Sequence, residues 1–220
     1  FLLEKDKEGI IESLKRSGYY FSSVEIFKQF QDKNIVDIIY EIDLGNKAKI
    51  KKITFTGNKV FKDNKLKSII VSEEYKFWKF ISGRKYLKED IISLDKRLLK
   101  NFYLNKGFYD IEINSSFAKL ISDDSFELIY NISPNNKIYF DNLKVIYPND
   151  IDKSNYKILS QVLKDLKGKP YSLNAVRKIL DEIDTITVNE EYKSIKATLE
   201  EEIVSNKLNI NFIIEETEKK

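Results

Sequence analysis

Three acidic clusters, Glu89-Asp90, Asp123-Asp124 and Glu200-Glu201-Glu202, are the first residues whose types could do chemistry. Neighbouring carboxylates serve general acid and base catalysis or bind hard cations. That work needs close partners, and the chain contains no His and no Cys. The commonest general base, the commonest metal ligand, thiol nucleophiles and disulfides are excluded together. The clusters fall at a helix start or in polar gaps, so they read as solvated surface. Gly83-Arg84-Lys85 lacks the preceding GxxxxG frame of a phosphate loop. No catalytic residue, cofactor or metal ligand is expected, and the chain reads as a binding module rather than an enzyme.

A second stretch, Tyr75-Lys76-Phe77-Trp78-Lys79-Phe80, interleaves aromatic rings with lysine as a base-stacking surface would. It falls in a loop between helices, where a lid over the core is the plainer reading. Phe77, Trp78 and Phe80 are kept as possible contact residues. A net charge of +3 from 38 basic and 35 acidic side chains is too small to argue for nucleic acid, and none is expected as a partner. Hydrophobic residues make up 42% and charged residues 33%, ordinary for a globular protein. No apolar run approaches the roughly 20 residues of a membrane helix. Phe1 stands first, without the basic start and apolar run of a signal peptide, so a piece of a longer chain is expected.

The elements that position these residues repeat. Leu14-Lys15-Arg16-Ser17-Gly18-Tyr19 and Tyr103-Leu104-Asn105-Lys106-Gly107-Phe108 each read as a helix stopped by a Gly-aromatic pair, with the glycines 89 residues apart. After each comes an alternating strand, a polar gap, a strand denser in apolar residues, a polar turn and a further strand. A third copy of the closing half spans Val176 to Glu216 without the Gly-aromatic pair. The order predicts an α+β fold of tandem β-α-α-β-β units, each a small mixed three-stranded sheet covered on one face by two helices. Expected units are the end of a truncated one at 1–46, a complete one at 47–136 and a more divergent one at 137–220.

In the middle unit Lys49 to Phe55 reads as a strand and Gly57-Asn58 as a turn, Gly accepting positive φ freely. Asp63 is expected to cap a helix over 64–71. The longer helix, 87–104, carries the apolar stripe Ile91, Leu94, Leu98 and Phe102, widened by Ile92 and Leu99.

Dense strands, such as Phe126-Glu127-Leu128-Ile129-Tyr130-Asn131-Ile132, belong at sheet centres, and thinner alternating ones at edges. An edge strand offers unpaired N–H and C=O groups to which an extended peptide adds, whatever its side chains. Several edges in series would add avidity.

The string Lys52-Ile53-Thr54-Phe55-Thr56-Gly57-Asn58-Lys59-Val60-Phe61, followed by a helix, resembles the opening of a POTRA domain. So does the run from Phe77-Trp78-Lys79-Phe80 through Gly83-Arg84-Lys85-Tyr86 to Tyr103-Leu104-Asn105-Lys106-Gly107-Phe108. The likeness covers essentially the whole chain as the end of a second such domain, a third and a fourth. The last departs from the pattern with Tyr147-Pro148-Asn149 in place of a Gly-Asn turn. The resemblance implies a periplasmic segment attached to an outer-membrane β-barrel. The implied partners are unfolded outer-membrane proteins and accessory lipoproteins of the assembly machine, bound by strand addition. The positions implied are Ile111, Glu112, Ile113, Asn114, Ser115, Ser116, Phe117, Ala118 and Lys119, and second Tyr192, Lys193, Ser194, Ile195, Lys196, Ala197, Thr198 and Leu199. Two alternatives stay open: a POTRA arm of a secretion transporter or division protein, and a structural spacer that binds little.

Overall fold

A computed structural model describes residues 1–220 except 32–34, 58–59, 79–81, 120–123, 149–152, 190–194 and 217–220. The chain opens with α1 (Leu2–Arg16), followed by β1 (Ser23–Phe30) and β2 (Val36–Asp43), which pair antiparallel. Next come β3 (Lys49–Gly57), a short α2 (Asp63–Lys67), α3 (Glu89–Leu104), β4 (Glu112–Lys119) and β5 (Ser125–Ser133). The sequence β6 (Tyr139–Ile146), α4 (Lys157–Leu166), α5 (Leu173–Asn189), β7 (Ile195–Val204) and β8 (Lys207–Glu216) repeats that order.

Both complete sheets have one topology, β3-β5-β4 and β6-β8-β7, with the last strand central. The first strand runs parallel to the central one and the second antiparallel to it. A parallel pair cannot be closed by a tight turn, which is why two helices lie between β3 and β4 and again between β6 and β7. The expected mixed α+β fold, with small mixed three-stranded sheets, is the one observed. The dense strands of the two complete sheets are central: Phe126, Leu128, Tyr130 and Ile132 of β5 and Leu208, Ile210, Phe212 and Ile214 of β8 are buried, whereas the equally apolar β2 lies in a two-stranded sheet and is largely exposed.

Contacts group the chain into two compact units, Phe1–Leu99 with Glu112–Ser133, and Lys100–Ile111 with Pro134–Lys220. Residues 100–111, which the repeat reading assigns to the middle unit, thus cluster with the third sheet. Ile138 N–H donates to Gly107 O at 2.8 Å, and the Tyr109 ring meets Tyr171 edge-on with centroids 4.9 Å apart.

Both Gly-aromatic pairs end their helices in the same way. Tyr19 N–H donates to Leu14 O at 2.9 Å and Gly18 N–H to Lys15 O at 3.0 Å. Phe108 N–H donates to Tyr103 O at 3.1 Å and Gly107 N–H to Leu104 O at 3.2 Å. These bonds satisfy the last carbonyls of the helix and require the left-handed backbone seen at Gly18 (φ 94°) and Gly107 (φ 96°).

Several local expectations are corrected. The buried line of α3 is Ile92, Asp95, Leu99 and Tyr103, one position round from the expected stripe, whose Ile91, Leu94, Leu98 and Phe102 are only partly buried. A charged residue in the buried line is what hid it. Helix α2 stops at Lys67, and Asp63 is its first residue, with Lys62 as cap and no side-chain capping bond. Strand β7 runs on to Val204, so Glu200-Glu201-Glu202 lie within a strand and not in a polar gap. The hairpin turns at Ser205-Asn206, where Ser205 has φ 59°.

Candidate partner-binding edges

The middle sheet's two edges are not equivalent. The outer edge of β3 is bonded by the segment between α2 and α3: Tyr75 N–H donates to Ile50 O at 2.6 Å, and Ile53 N–H to Glu74 Oε1 at 3.0 Å. Lys49 also bridges antiparallel to Tyr86, and Leu87 N–H donates to Ala48 O at 2.8 Å. Burial raises the Glu74 carboxyl, but the Lys67 ammonium at 2.5 Å and the Ile53 N–H more than reverse this and hold it below the ordinary carboxylate range. Glu74 therefore stays ionised and keeps its bond to the strand. On the opposite side, among the described residues, no backbone bond reaches the outer edge of β4.

Strand β4 holds Glu112 to Lys119. Ile111, expected as its first residue, precedes it and is buried. The strand alternates as read: Ile113 and Ser115 are half-buried, whereas Glu112, Asn114, Ser116 and Ala118 are exposed. Phe117 is 36% exposed, and its ring is engaged. Tyr20 meets it edge-on at 4.7 Å between centroids, and Phe21 and Phe126 lie at 6.5 and 6.2 Å. Phe21 also stacks on Phe126 at 4.6 Å. The residues after the first Gly-aromatic stop are thus packed on the far end of β4, a contact between positions about a hundred apart that periodicity does not encode. Phe117 shapes this aromatic cluster as well as the strand's face.

In the third sheet, β6 is the covered edge. Tyr139 bridges antiparallel to Pro170, Phe140 N–H donates to Lys169 O at 2.9 Å, and Gly168 N–H donates to Phe140 O at 2.8 Å. Strand β7 is the other edge, and no backbone bond reaches its outer side among the described residues. Its residues Lys196 to Leu199 fall where expected, and the strand begins at Ile195; Tyr192, Lys193 and Ser194 lie outside the described residues. Side chains reach β7: Asn209 and Asn211 of β8 donate to Glu202 and Glu200, and the Tyr109 hydroxyl donates to Glu201 Oε2. Burial, and then that carboxylate, push the Tyr109 hydroxyl well above the ordinary tyrosine range. It remains a neutral donor at any physiological pH.

Phe77 and Trp78 form no lid. They are 77% and 58% exposed and meet edge-on at 4.7 Å between centroids. Phe80 lies outside the described residues.

What sequence reasoning missed is the buried network behind the covered edge. Asp95 is fully buried and accepts from Val71 N–H at 2.6 Å, from Ser72 N–H at 3.3 Å and from the Tyr130 hydroxyl at 2.6 Å. These bonds tie the start of the loop that covers β3 to the central strand. The available signal was a lone Asp on an otherwise apolar helix face.

The POTRA family model, described as a surface antigen variable number repeat, matches residues 48–135. The chain is 28% identical over 151 residues to the outer membrane protein assembly factor BamA of Neisseria meningitidis serogroup B, covering 69% of this chain and 19% of that protein. It is 24% identical over 144 residues to BamA of Nitratidesulfovibrio vulgaris, covering 66% and 18%. The chain thus spans about a fifth of the length of these curated relatives. The crystal structure of Haemophilus influenzae BamA POTRA3-5 superposes with a TM-score of 0.60 at 12% identity, covering 97% of this chain and 80% of that one. Residues 48–135 therefore match the POTRA family, in a chain that is similar over about two thirds of its length to BamA proteins and shares its fold with a BamA POTRA structure.

Proposed function

We propose that this chain is a client-binding and scaffold arm of an outer-membrane protein assembly machine, without catalysis of its own. It holds extended or unfolded β-strand clients and accessory lipoproteins by strand addition along β4, and secondarily along β7. Its units are the end of a second POTRA domain, at 1–46, a third at 47–136 and a fourth at 137–220. The observation that carries the reading is the asymmetry of each sheet: one edge is bonded by its own loop, and the other presents a strand's outward N–H and C=O groups. Backbone pairing supplies affinity there, and Ile113 and Phe117 set the face and register. Homology to assembly factors supports a β-strand client.

Adjacent residues of an antiparallel strand point their N–H groups to opposite sides, so proline at Asn114 and at Ser115 tests the two sides of β4 separately. The variant that removes an outward N–H leaves the ladder to β5 intact. It is expected to keep the far-UV circular dichroism spectrum while losing most photo-crosslinking of an extended outer-membrane-protein peptide. Undiminished crosslinking by that folded variant refutes the proposal.

A further inference from the structure

We propose that the loop carrying Phe77 and Trp78 is a contact site for an anionic phospholipid bilayer. The two rings are the observation. At 77% and 58% exposure they form a protruding apolar tip, not the lining of a groove. A peptide ligand needs a groove or a sheet edge to bury it, whereas a bilayer interface receives a convex tip. Trp and Phe flanked by lysine are the residues that partition there.

The base of the tip is fixed and basic. Tyr75 N–H is bonded to Ile50 O, and Glu73 N–H donates to Arg84 O at 3.0 Å, so the rings are presented from an ordered stem. Lys51 Nζ stands 4.8 Å from the Tyr75 ring and Lys76 Nζ 5.7 Å from the Trp78 ring, both on exposed residues, whereas the nearby Lys49 is held by Asp124 and Lys85 is buried. The acidic residues of the stem are occupied internally, Glu74 by Lys67 and Glu73 by Arg84. A basic collar below an apolar tip matches phosphate headgroups above acyl chains, each lysine near such a surface adding attraction that salt screens. The inference rests on the periplasmic placement for the nearness of a membrane, and does not depend on strand addition at β4.

The chain has a single tryptophan, so its fluorescence reports on Trp78 alone. With the 220-residue chain, vesicles of phosphatidylglycerol are expected to shift Trp78 emission to the blue, and phosphatidylcholine vesicles to do so far less. Phe77→Ser, which leaves the probe and the core in place, is expected to weaken partitioning about tenfold, the effect of withholding one large ring from burial. Lys76→Glu is expected to weaken it further as salt is lowered. Absence of a shift with phosphatidylglycerol, or a shift indifferent to Phe77→Ser, overturns the proposal. So does a shift produced by an extended peptide or by RNA while vesicles leave the emission unchanged. Vesicle binding that persists in the β4 proline variant supports the proposal, and its loss there overturns the independence of the two sites.

Discussion

Removing the Asp95 carboxylate tests how the middle unit holds the loop that covers its β3 edge. Asp95 accepts from three groups, Val71 N–H, Ser72 N–H and the Tyr130 hydroxyl, at 2.6 to 3.3 Å. Asp95→Ala leaves three buried donors facing a cavity. Each donor left without an acceptor in the interior costs about 1–3 kcal/mol, so the loss is expected at about 3–5 kcal/mol, a fifth or more of the roughly 5–15 kcal/mol that stabilises a domain. Tyr130→Phe removes one donor and should cost about 1–2 kcal/mol. In the double variant the hydroxyl is no longer stranded, so the losses should fall short of additivity by about 1–2 kcal/mol. The assay is urea unfolding followed by circular dichroism. The third sheet supplies an internal comparison. Counted from the equivalent bonds Leu87 N–H to Ala48 O and Tyr171 N–H to Ile138 O, the places of Asp95 and Tyr130 are taken by Ile179 and Phe212, both buried. The fold thus tolerates an apolar solution, and the cost in the middle unit comes from stranded donors rather than from a need for charge. A loss below about 1 kcal/mol for Asp95→Ala, or strict additivity of the two changes, refutes this account.

Three further outcomes follow from the same geometry. Gly57→Ala should lower the melting temperature, costing over about 2 kcal/mol, because the position has φ 82° and its Cβ would lie 2.3 Å from Ile132 O; an unchanged melting temperature contradicts this. Gly9→Ala, inside α1 with nothing within 4 Å of the added atom, should instead stabilise by about 0.5–1 kcal/mol in the same experiment. Stability should fall as pH rises above 10. Burial and carboxylate neighbours raise the hydroxyls of Tyr109 and Tyr130, and burial first and then Glu201 push Tyr171 up to about 12. Above the ordinary tyrosine value of 10 the unfolded chain loses these protons before the folded one does, so the folded state is progressively disfavoured until the folded groups ionise too. Urea midpoints from pH 9 to 11.5 should decline, and less steeply in Tyr130→Phe; a flat profile counts against the buried placement.

The repeat, the order of elements and the central place of the dense strands were legible in the sequence because they rest on local chemistry. Alternation with period two, apolar spacing along a helix and a glycine free to adopt positive φ after Leu14-Lys15-Arg16-Ser17 or Tyr103-Leu104-Asn105-Lys106 are all written within a few residues. The absence of His and Cys excluded imidazole and thiol chemistry by itself. Burial of a charge was not legible, since a lone Asp95 on α3 signals a surface until Val71, Ser72 and Tyr130 are known to converge on it. The outward stance of Phe77 and Trp78 was equally hidden, because aromatic rings in a loop carry the same pattern whether they cover a core or face solvent. Which edge of each sheet stays open was decided by tertiary structure alone. Two thin strands flank β5, and only the return of Glu74 to Leu87 across β3 leaves β4 as the one without backbone partners among the described residues. Sequence determined which strands could lie at an edge; packing over distances of twenty to a hundred residues determined which edge is free.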